Sequence, residues 1–254
     1  MRPYILVENN LKNLKDQEVE LAILPWGATE AHNYHLPYGT DTIETEAIAA
    51  ESARIAWERG AKAIVLPTIP FGVNTGQLDI KLTINLDPGT QSLILDNIIE
   101  SLSEQGIYKL LILNGHGGND FKQILRELGK SYPEMFLCTC NWFQAVDKDA
   151  IFTNKGDHAD ESETSLMMYL SADLVLPLKE AGNGKSKKFS VKALNENWAW
   201  SERKWTKVSE DTGIGDPSQA TVEKGEIFFR AMTEKISDLI FDVSEMNPDD
   251  VFGP

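Results

Sequence analysis

Four short apolar runs, Leu21–Trp26, Ala63–Leu66, Lys109–Leu113 and Met135–Trp142, punctuate this 254-residue chain, and stretches of helical spacing lie between them. In Thr42–Arg59 the apolar or small residues Ile43, Ala47, Ile48, Ala50 and Ile55 recur at helical intervals before Gly60 closes the run. Thr90–Gln105 repeats the pattern with Leu93, Leu95, Ile98, Ile99 and Leu102, and Gly106 stops it. Phe121–Lys130, Glu163–Leu170 and Ala220–Phe241 read as further helices. Strands that are apolar along nearly their whole length are buried on both faces, and strand–helix alternation makes them parallel. The expected fold class is therefore α/β, a mostly parallel central sheet flanked by helices on both faces. The length suits one large domain spanning residues 1–254 better than two small ones. In such open sheets ligands sit outside the carboxyl ends of the strands.

Charge narrows the partners. Lys and Arg total 24 against 39 Asp and Glu, a net charge of −15. A surface that acidic repels phosphate backbones and anionic lipid, so neither nucleic acid nor membrane is an expected partner. The first ten residues hold no sustained apolar stretch, and no run approaches the length of a membrane span. The two cysteines, Cys138 and Cys140, fit neither a CxxC pair nor a zinc knuckle. They read as reduced core thiols, which places the chain in the cytoplasm. Gly182–Lys192 is polar, Gly-rich and locally basic, a loop, and Asn195–Trp205 holds three of the six tryptophans. That cluster is either an oligomer contact or ordinary core packing.

All four histidines fall in three segments that follow strands or open helices. Gly27–Asp41 carries Glu30, His32, His35 and Asp41. Glu30 and His32, two apart on extended chain, project to one side and can converge on a metal. Asp41 arrives at the mouth of the next helix and can bridge two ions, although Asp41 and Glu44 also fit a capping box. In Asn114–Asn119 (NGHGGN) the glycines allow close backbone approach. Such a turn can cradle a phosphate, but His116 argues for metal. His158 precedes a helix on which Glu163 interrupts the apolar stripe of Leu166, Met167 and Leu170. A buried carboxylate needs a partner, and a metal supplies one. Asp, Glu and His ligands together suit Zn²⁺, Mn²⁺ or Fe²⁺.

These segments resemble the creatininase (creatinine amidohydrolase) family. Gly27–Asp41 is similar to its G-[SA]-x-E-Q-H-G-x-H-L-P-x-x-[TV]-D pattern, Asn114–Asn119 to its N-G-H-G-G-N, and His158–Ser165 to its H-x-x-x-x-E-T-S. Thr212–Gly225 is similar to the family's late G-x-x-G-D-P-x-x-A-T-x-E-K-G. The likeness runs in order over roughly residues 20–240. It implies a three-layer sandwich, a homo-oligomer and a binuclear site. Glu30, Asp41 and His116 would hold one metal, and His32 with bridging Asp41 the other. His158 would shuttle protons, and Trp142 resembles the family's lid tryptophan, although a tryptophan at a strand end also fits packing on the core.

Two departures stand out. Where creatininase places a second-metal Glu, this chain has Gly118, so that site needs Glu163 or solvent to complete it. One or two metals per subunit are therefore expected, zinc first, with manganese or iron compatible. Where many relatives carry a His and a Phe-Pro-Gly-Thr, this chain has Gln77 and Ile80-Lys81-Leu82-Thr83, which argues against creatinine itself.

The expected activity is hydrolysis of a non-peptide C–N bond, a cyclic amide or formamide, by a metal-activated water. His158 and Glu163 are the expected catalytic residues. His35, Gly117, Gly118, Asn119 and Trp142 are expected around the ligands or substrate. The alternatives are a formamide or lactam of cofactor or nucleotide metabolism, a short peptide end, and a metal-binding α/β protein without turnover.

Overall fold

The computed structural model describes residues 1–248 and 250–252. After a short helix α1 (Leu11–Leu14), the elements alternate: β1 (Leu21–Trp26), α2 (Thr40–Glu58), β2 (Ala63–Val65), α3 (Pro88–Glu104), β3 (Lys109–Asn114), α4 (Phe121–Ser131) and β4 (Phe136–Asn141). The C-terminal part adds α5 (Glu161–Leu170), the one-turn helices α6 (Lys192–Asn195) and α7 (Trp205–Val208), and the long α8 (Val222–Glu245). All strand pairs are parallel, in the order β2-β1-β3-β4.

The uninterrupted apolar runs have a direct physical reason. Alternate residues of a strand face opposite sides, and here both sides are dry. Leu21, Ile23, Leu111 and Leu113 pack with Ile48, Ala49 and Ala53 of α2 and with Phe228, Met232 and Ile236 of α8. Ala22, Leu24, Trp26, Leu110 and Ile112 pack with Leu95 and Ile99 of α3 and Phe121, Ile124 and Leu128 of α4. The result is three layers, as the sequence predicts. Gly60 (φ +105°) and Gly106 (φ +75°) end α2 and α3 in the left-handed region that glycine enters without strain.

Helices α2, α3 and α5 begin two residues earlier than the periodicity indicates, α4 begins at Phe121 as expected, and α8 begins two residues later, at Val222. Helix α2 starts at Thr40, so Asp41 lies in its first turn, and its N-cap Gly39 offers no side chain. The capping-box alternative for Asp41 and Glu44 does not hold. Both Glu44 oxygens are buried without a hydrogen bond, and Asp41 points at histidines. Cys138 and Cys140 are free thiols; burial pushes Cys138 up to about 12 and raises Cys140 as well. Among the described residues no helix is long and apolar enough to cross a membrane.

Successive connections leave β1 toward β2 on one side and return toward β3 on the other, so the strand order reverses between β1 and β3. In open α/β sheets a ligand crevice forms at such a reversal, outside the carboxyl ends of the strands. Glu30 and His32 follow β1 and His116 follows β3, on adjacent strands at this reversal. Helix α5 is held beside them by α8, whose Gly225 lies directly on the Ser165 carbonyl with no room for a Cβ. Gly225→Ala should therefore cost about 1–3 kcal/mol of stability by overpacking, read as a lowered urea midpoint with an unchanged slope.

Candidate metal centre

Glu30, His32, Asp41, His116 and His158 are all buried and meet at one place. Their donor atoms form the groups Glu30/Asp41/His116, His32/Asp41/Glu163 and Glu30/His32/His158, each within 4.8 Å. The two oxygens of Asp41 face two different imidazoles. Oδ1 lies 2.9 Å from His32 Nε2 and Oδ2 lies 3.0 Å from His116 Nδ1. Asp41 Oδ2 nevertheless accepts no hydrogen bond, so a buried lone pair remains available.

Each of the three histidines has one ring nitrogen on a backbone carbonyl. His32 Nδ1 is 3.1 Å from Glu30 O, His116 Nε2 is 2.9 Å from Val73 O, and His158 Nε2 is 2.9 Å from Ala31 O. A carbonyl only accepts, so these nitrogens carry the proton and donate it. In a neutral ring the opposite nitrogen is then a bare lone pair. Those opposite nitrogens face carboxylates: His116 Nδ1 lies 3.0 Å from Glu30 Oε1, and His158 Nδ1 lies 3.8 Å from the same oxygen. Lone pairs aimed at carboxylate oxygens repel unless positive charge lies between them.

In the absence of a metal, protons take that place. Burial opposes protonation of His32 and His116, yet Asp41 drives His32 up to about 10, and Glu30 with Asp41 holds His116 well above its usual range. Burial also opposes ionisation of Glu30, but His116 and His158 keep it below the ordinary carboxylate value. Glu163 is raised, chiefly by burial. Donor set, spare lone pair and unmet demand for positive charge all fit a divalent cation. A histidine ligand whose second nitrogen donates to a carbonyl is the usual arrangement around metals.

The remaining expected residues divide. Glu163 Oε1 stands 4.0 Å from His32 Nε2, and Glu163 lines the same cavity as Gly118. A Cβ at Gly118 would collide with Val73 O and His116 Nε2, so no side chain fits there without moving the His116 tether. Gly117 and Gly118 line the cavity. Asn119 is a strut: its Oδ1 accepts from Val73 N and Gln91 Nε2, and its Nδ2 donates to Asn114 Oδ1. His35 bonds Thr164 Oγ1 at 2.9 Å, adjacent to Glu163, and burial with the neighbouring His32 lowers it to about 4. It therefore reaches helix α5 and none of the clustered carboxylates.

Of the two readings of Trp142, lid or core packing, the structure takes the second. Trp142 is 1% exposed and its Nε1 donates to Thr45 Oγ1 at 3.0 Å, beneath the centre and away from its mouth. The strand end turns it into the core between α2 and the sheet, where it cannot act as a lid. The aromatic over the site is Trp205, whose ring lies 4.7 Å from that of His158, which in turn lies 4.2 Å from His32.

Three contributors are absent from the sequence reading of the ligand set. Gln77 is fully buried and its amide donates to Glu30 Oε2, leaving Oε1 for His116 and His158. The Val73 carbonyl fixes His116. Ile214, in the late Gly-rich motif, exchanges backbone hydrogen bonds with His158. No periodicity marks a glutamine in a loop or a carbonyl as part of a site. The cavity above these groups has a volume of about 300 Å³ and is rimmed by Lys148, Arg203 and Trp205.

A family model, "Creatininase: Creatinine amidohydrolase", matches residues 8–240. A solved structure from Bacteroides fragilis NCTC 9343, described as a candidate creatinine amidohydrolase, is 42% identical with a TM-score of 0.92, covering 98% of this chain and 99% of its own. A mycofactocin precursor peptide peptidase of Mycobacterium tuberculosis (strain CDC 1551 / Oshkosh) is 29% identical over 229 residues, 84% of this chain and 81% of that protein. A manganese form of creatininase shares 22% identity with a TM-score of 0.80, covering 96% of this chain and 99% of that one.

The packing around the GHGGN turn carries its own test. Gly118→Ala should push the Val73 carbonyl off His116 and cost about 1–3 kcal/mol by overpacking, seen as a lower thermal midpoint of the metal-free protein.

Proposed function

The chain belongs to the creatininase (creatinine amidohydrolase) family, and on that premise we propose that it hydrolyses a C–N amide bond at a divalent metal centre built from Glu30, His32, Asp41, His116 and Glu163. The observation that carries this reading is the orientation of the imidazoles. His32 and His116 donate one N–H each to a carbonyl and turn the other nitrogen onto opposite oxygens of Asp41. Glu30, Asp41 and His116 would hold one ion. His32, Asp41 and Glu163 would hold a second, Glu163 standing in for the carboxylate that Gly118 cannot provide. Zinc and manganese are both compatible with these donors, and solved creatininases of the same fold are described in Mn and Zn–Zn forms.

A bound divalent ion supplies a Lewis acid for the amide carbonyl and an acidified water at neutral pH. The protein's own groups do the rest. Gln77 fixes the rotation of Glu30, Ala159 N donates to Glu163 Oε2 and holds its carboxylate, and Asp160 caps the first turn of α5 through Ser162 N and Glu163 N. His158 is held by Ala31 O at Nε2, so Nδ1 is the lone-pair atom on the cavity side, where it can take a proton from the attacking water and pass it to the leaving nitrogen. Such a transfer is worth about 10²–10⁴-fold. Trp205 roofs the His158 ring and limits water around that proton path.

Chelation should abolish amide hydrolysis, and added zinc or manganese should restore it. His116→Ala should lose bound metal by elemental analysis together with activity; full metal loading in that variant would remove His116 from the ligand set. Glu163→Gln should lower the metal content toward one ion per chain. His158→Ala should keep its metal yet lose about 10²–10⁴-fold in kcat. A protein that binds metal but cleaves no cyclic amide, formamide or peptide would be a metal-binding protein without turnover.

A further inference from the structure

The wall above the metal cavity differs in charge from the rest of the molecule. Residues 185–207 carry seven of the chain's 24 lysines and arginines against two glutamates, in a protein whose net charge is −15. The segment is one excursion closed at its base. Ser186 bridges Ser209, and Lys187 N donates to Val208 O. Its inner edge is pinned to the centre: the Arg203 carbonyl lies on Gly76, where no Cβ fits, and Thr206 Oγ1 donates to Asp79 at 2.8 Å. Gly76 neighbours Gln77, the residue that holds Glu30.

Two features of this wall are left without a role by the hydrolytic machinery. First, four of its seven cations are uncompensated, while Lys192, Arg203 and Lys204 pair with Glu196, Asp157 and Asp79. Lys185, Lys187, Lys188 and Lys207 are exposed and make no ion pair among the described residues, whereas the neighbouring acidic surface could neutralise them if it reached them. Arg203 is pre-positioned: its guanidinium stacks 5.0 Å from the Trp205 ring and Nη1 pairs with Asp157, leaving its other N–H groups unassigned. Second, the wall borders a groove of about 820 Å³ in which Lys187, Lys188, Lys204, Lys207 and the 86% exposed Trp200 take part. Arg203 and Asp157 line both this groove and the metal cavity, so the two spaces adjoin at these residues. On the opposite rim of the cavity Lys148 donates to Ser162 Oγ and has no carboxylate within ion-pair distance.

We infer that the 185–207 segment is a substrate-recognition wall that holds an acidic peptide along the Lys187/Lys188/Trp200 groove, with Arg203 reading a carboxylate at the entrance to the metal cavity. The inference rests on the amide-hydrolase reading for what happens at the scissile bond, and on the charge and shape of the wall for what is bound. A groove of this volume beside a 300 Å³ cavity suits an extended chain better than a small cyclic amide. A peptide backbone also presents amide bonds at every residue, and the mycobacterial relative is named a peptide peptidase. Arg matches carboxylate geometry with paired donors, and an exposed Trp adds apolar contact. A nucleic acid fits less well. Its dense phosphate charge would meet the strongly acidic remainder of the surface within a Debye length of the groove.

The test uses the full chain loaded with zinc or manganese and a fluorescein-labelled peptide alternating glutamate and alanine, with its glutamine counterpart as control. At ~10 mM salt the glutamate peptide should bind at least about tenfold more tightly, and the gap should shrink at ~150 mM salt as screening sets in. The double substitution Lys187→Glu/Lys188→Glu, on exposed positions that leave folding intact by circular dichroism, should remove most of that preference. Arg203→Gln should raise KM for an acidic peptide amide more than it lowers kcat. Equal binding of both peptides overturns the inference, as does tighter binding of an oligothymidylate. Self-association that the double variant abolishes, with no peptide bound, overturns it in favour of a second copy covering the wall. Metal-dependent amide cleavage without any preference for acidic peptides sinks the wall and leaves the hydrolase. Acidic-peptide binding without metal-dependent cleavage of any amide sinks the hydrolase and leaves the wall.

Discussion

Three buried imidazoles each commit one nitrogen to a backbone carbonyl, and the rest of the centre depends on that commitment. The carbonyls of Glu30 and Ala31 lie on the chain leaving β1, and that of Val73 lies beyond β2. The tethers decide which nitrogen of each ring is free and where it points. They also tie the exit of β2 to the segment after β3 and the exit of β1 to the segment that opens α5, so the geometry of the sheet edge and the geometry of the donors are one property. Glu30, Asp41 and Glu163 would be costly to bury together as carboxylates. Positive charge between them offsets the cost, whether carried by protons on the imidazoles or by a metal.

Absent side chains matter as much as present ones. Gly115 leaves no space for a Cβ between Thr45 and Trp142, and Gly118 none between Val73 O and His116. Gly76 admits the Arg203 carbonyl. Each is a place where backbone must pass close to a donor or to a roof, and any larger residue would move one or the other. The tightness of the turn at Gly118 itself rules out a carboxylate there. Glu163 comes from a different element, α5, whose first turn is held by Asp160 and whose position is set by Gly225 on Ser165.

The charge distribution separates two functions on one molecule. An acidic surface keeps polyanions off most of the protein. Around the cavity mouth the sign reverses, with Lys148 and Arg203 on the rim and free lysines beyond it. The cations lie outside the cage of carboxylates and histidines, so they can act on a bound molecule without displacing whatever the cage holds.

The sequence alone determined the layers and the donors. Near-continuous apolar runs alternating with helices suit a parallel sheet covered on both faces, and the switch-point rule for open sheets then places Glu30, His32 and His116 at one sheet edge, whatever the details of the loops. Asp41 was legible as a helix-mouth carboxylate, but with a capping role equally open; only the position of His32 and His116 around it closed that question. Trp142 shows the opposite case. Its place after β4 matched a lid, and the fold turned it into the core under Thr45. Tertiary structure alone decided that Gln77 orients Glu30, that Val73 supplies the tether of His116, and that Trp205 and Arg203 form the roof. These contacts join segments with no shared period or motif. A residue's neighbours across a folded surface are set by how layers pack, and local spacing carries no record of that.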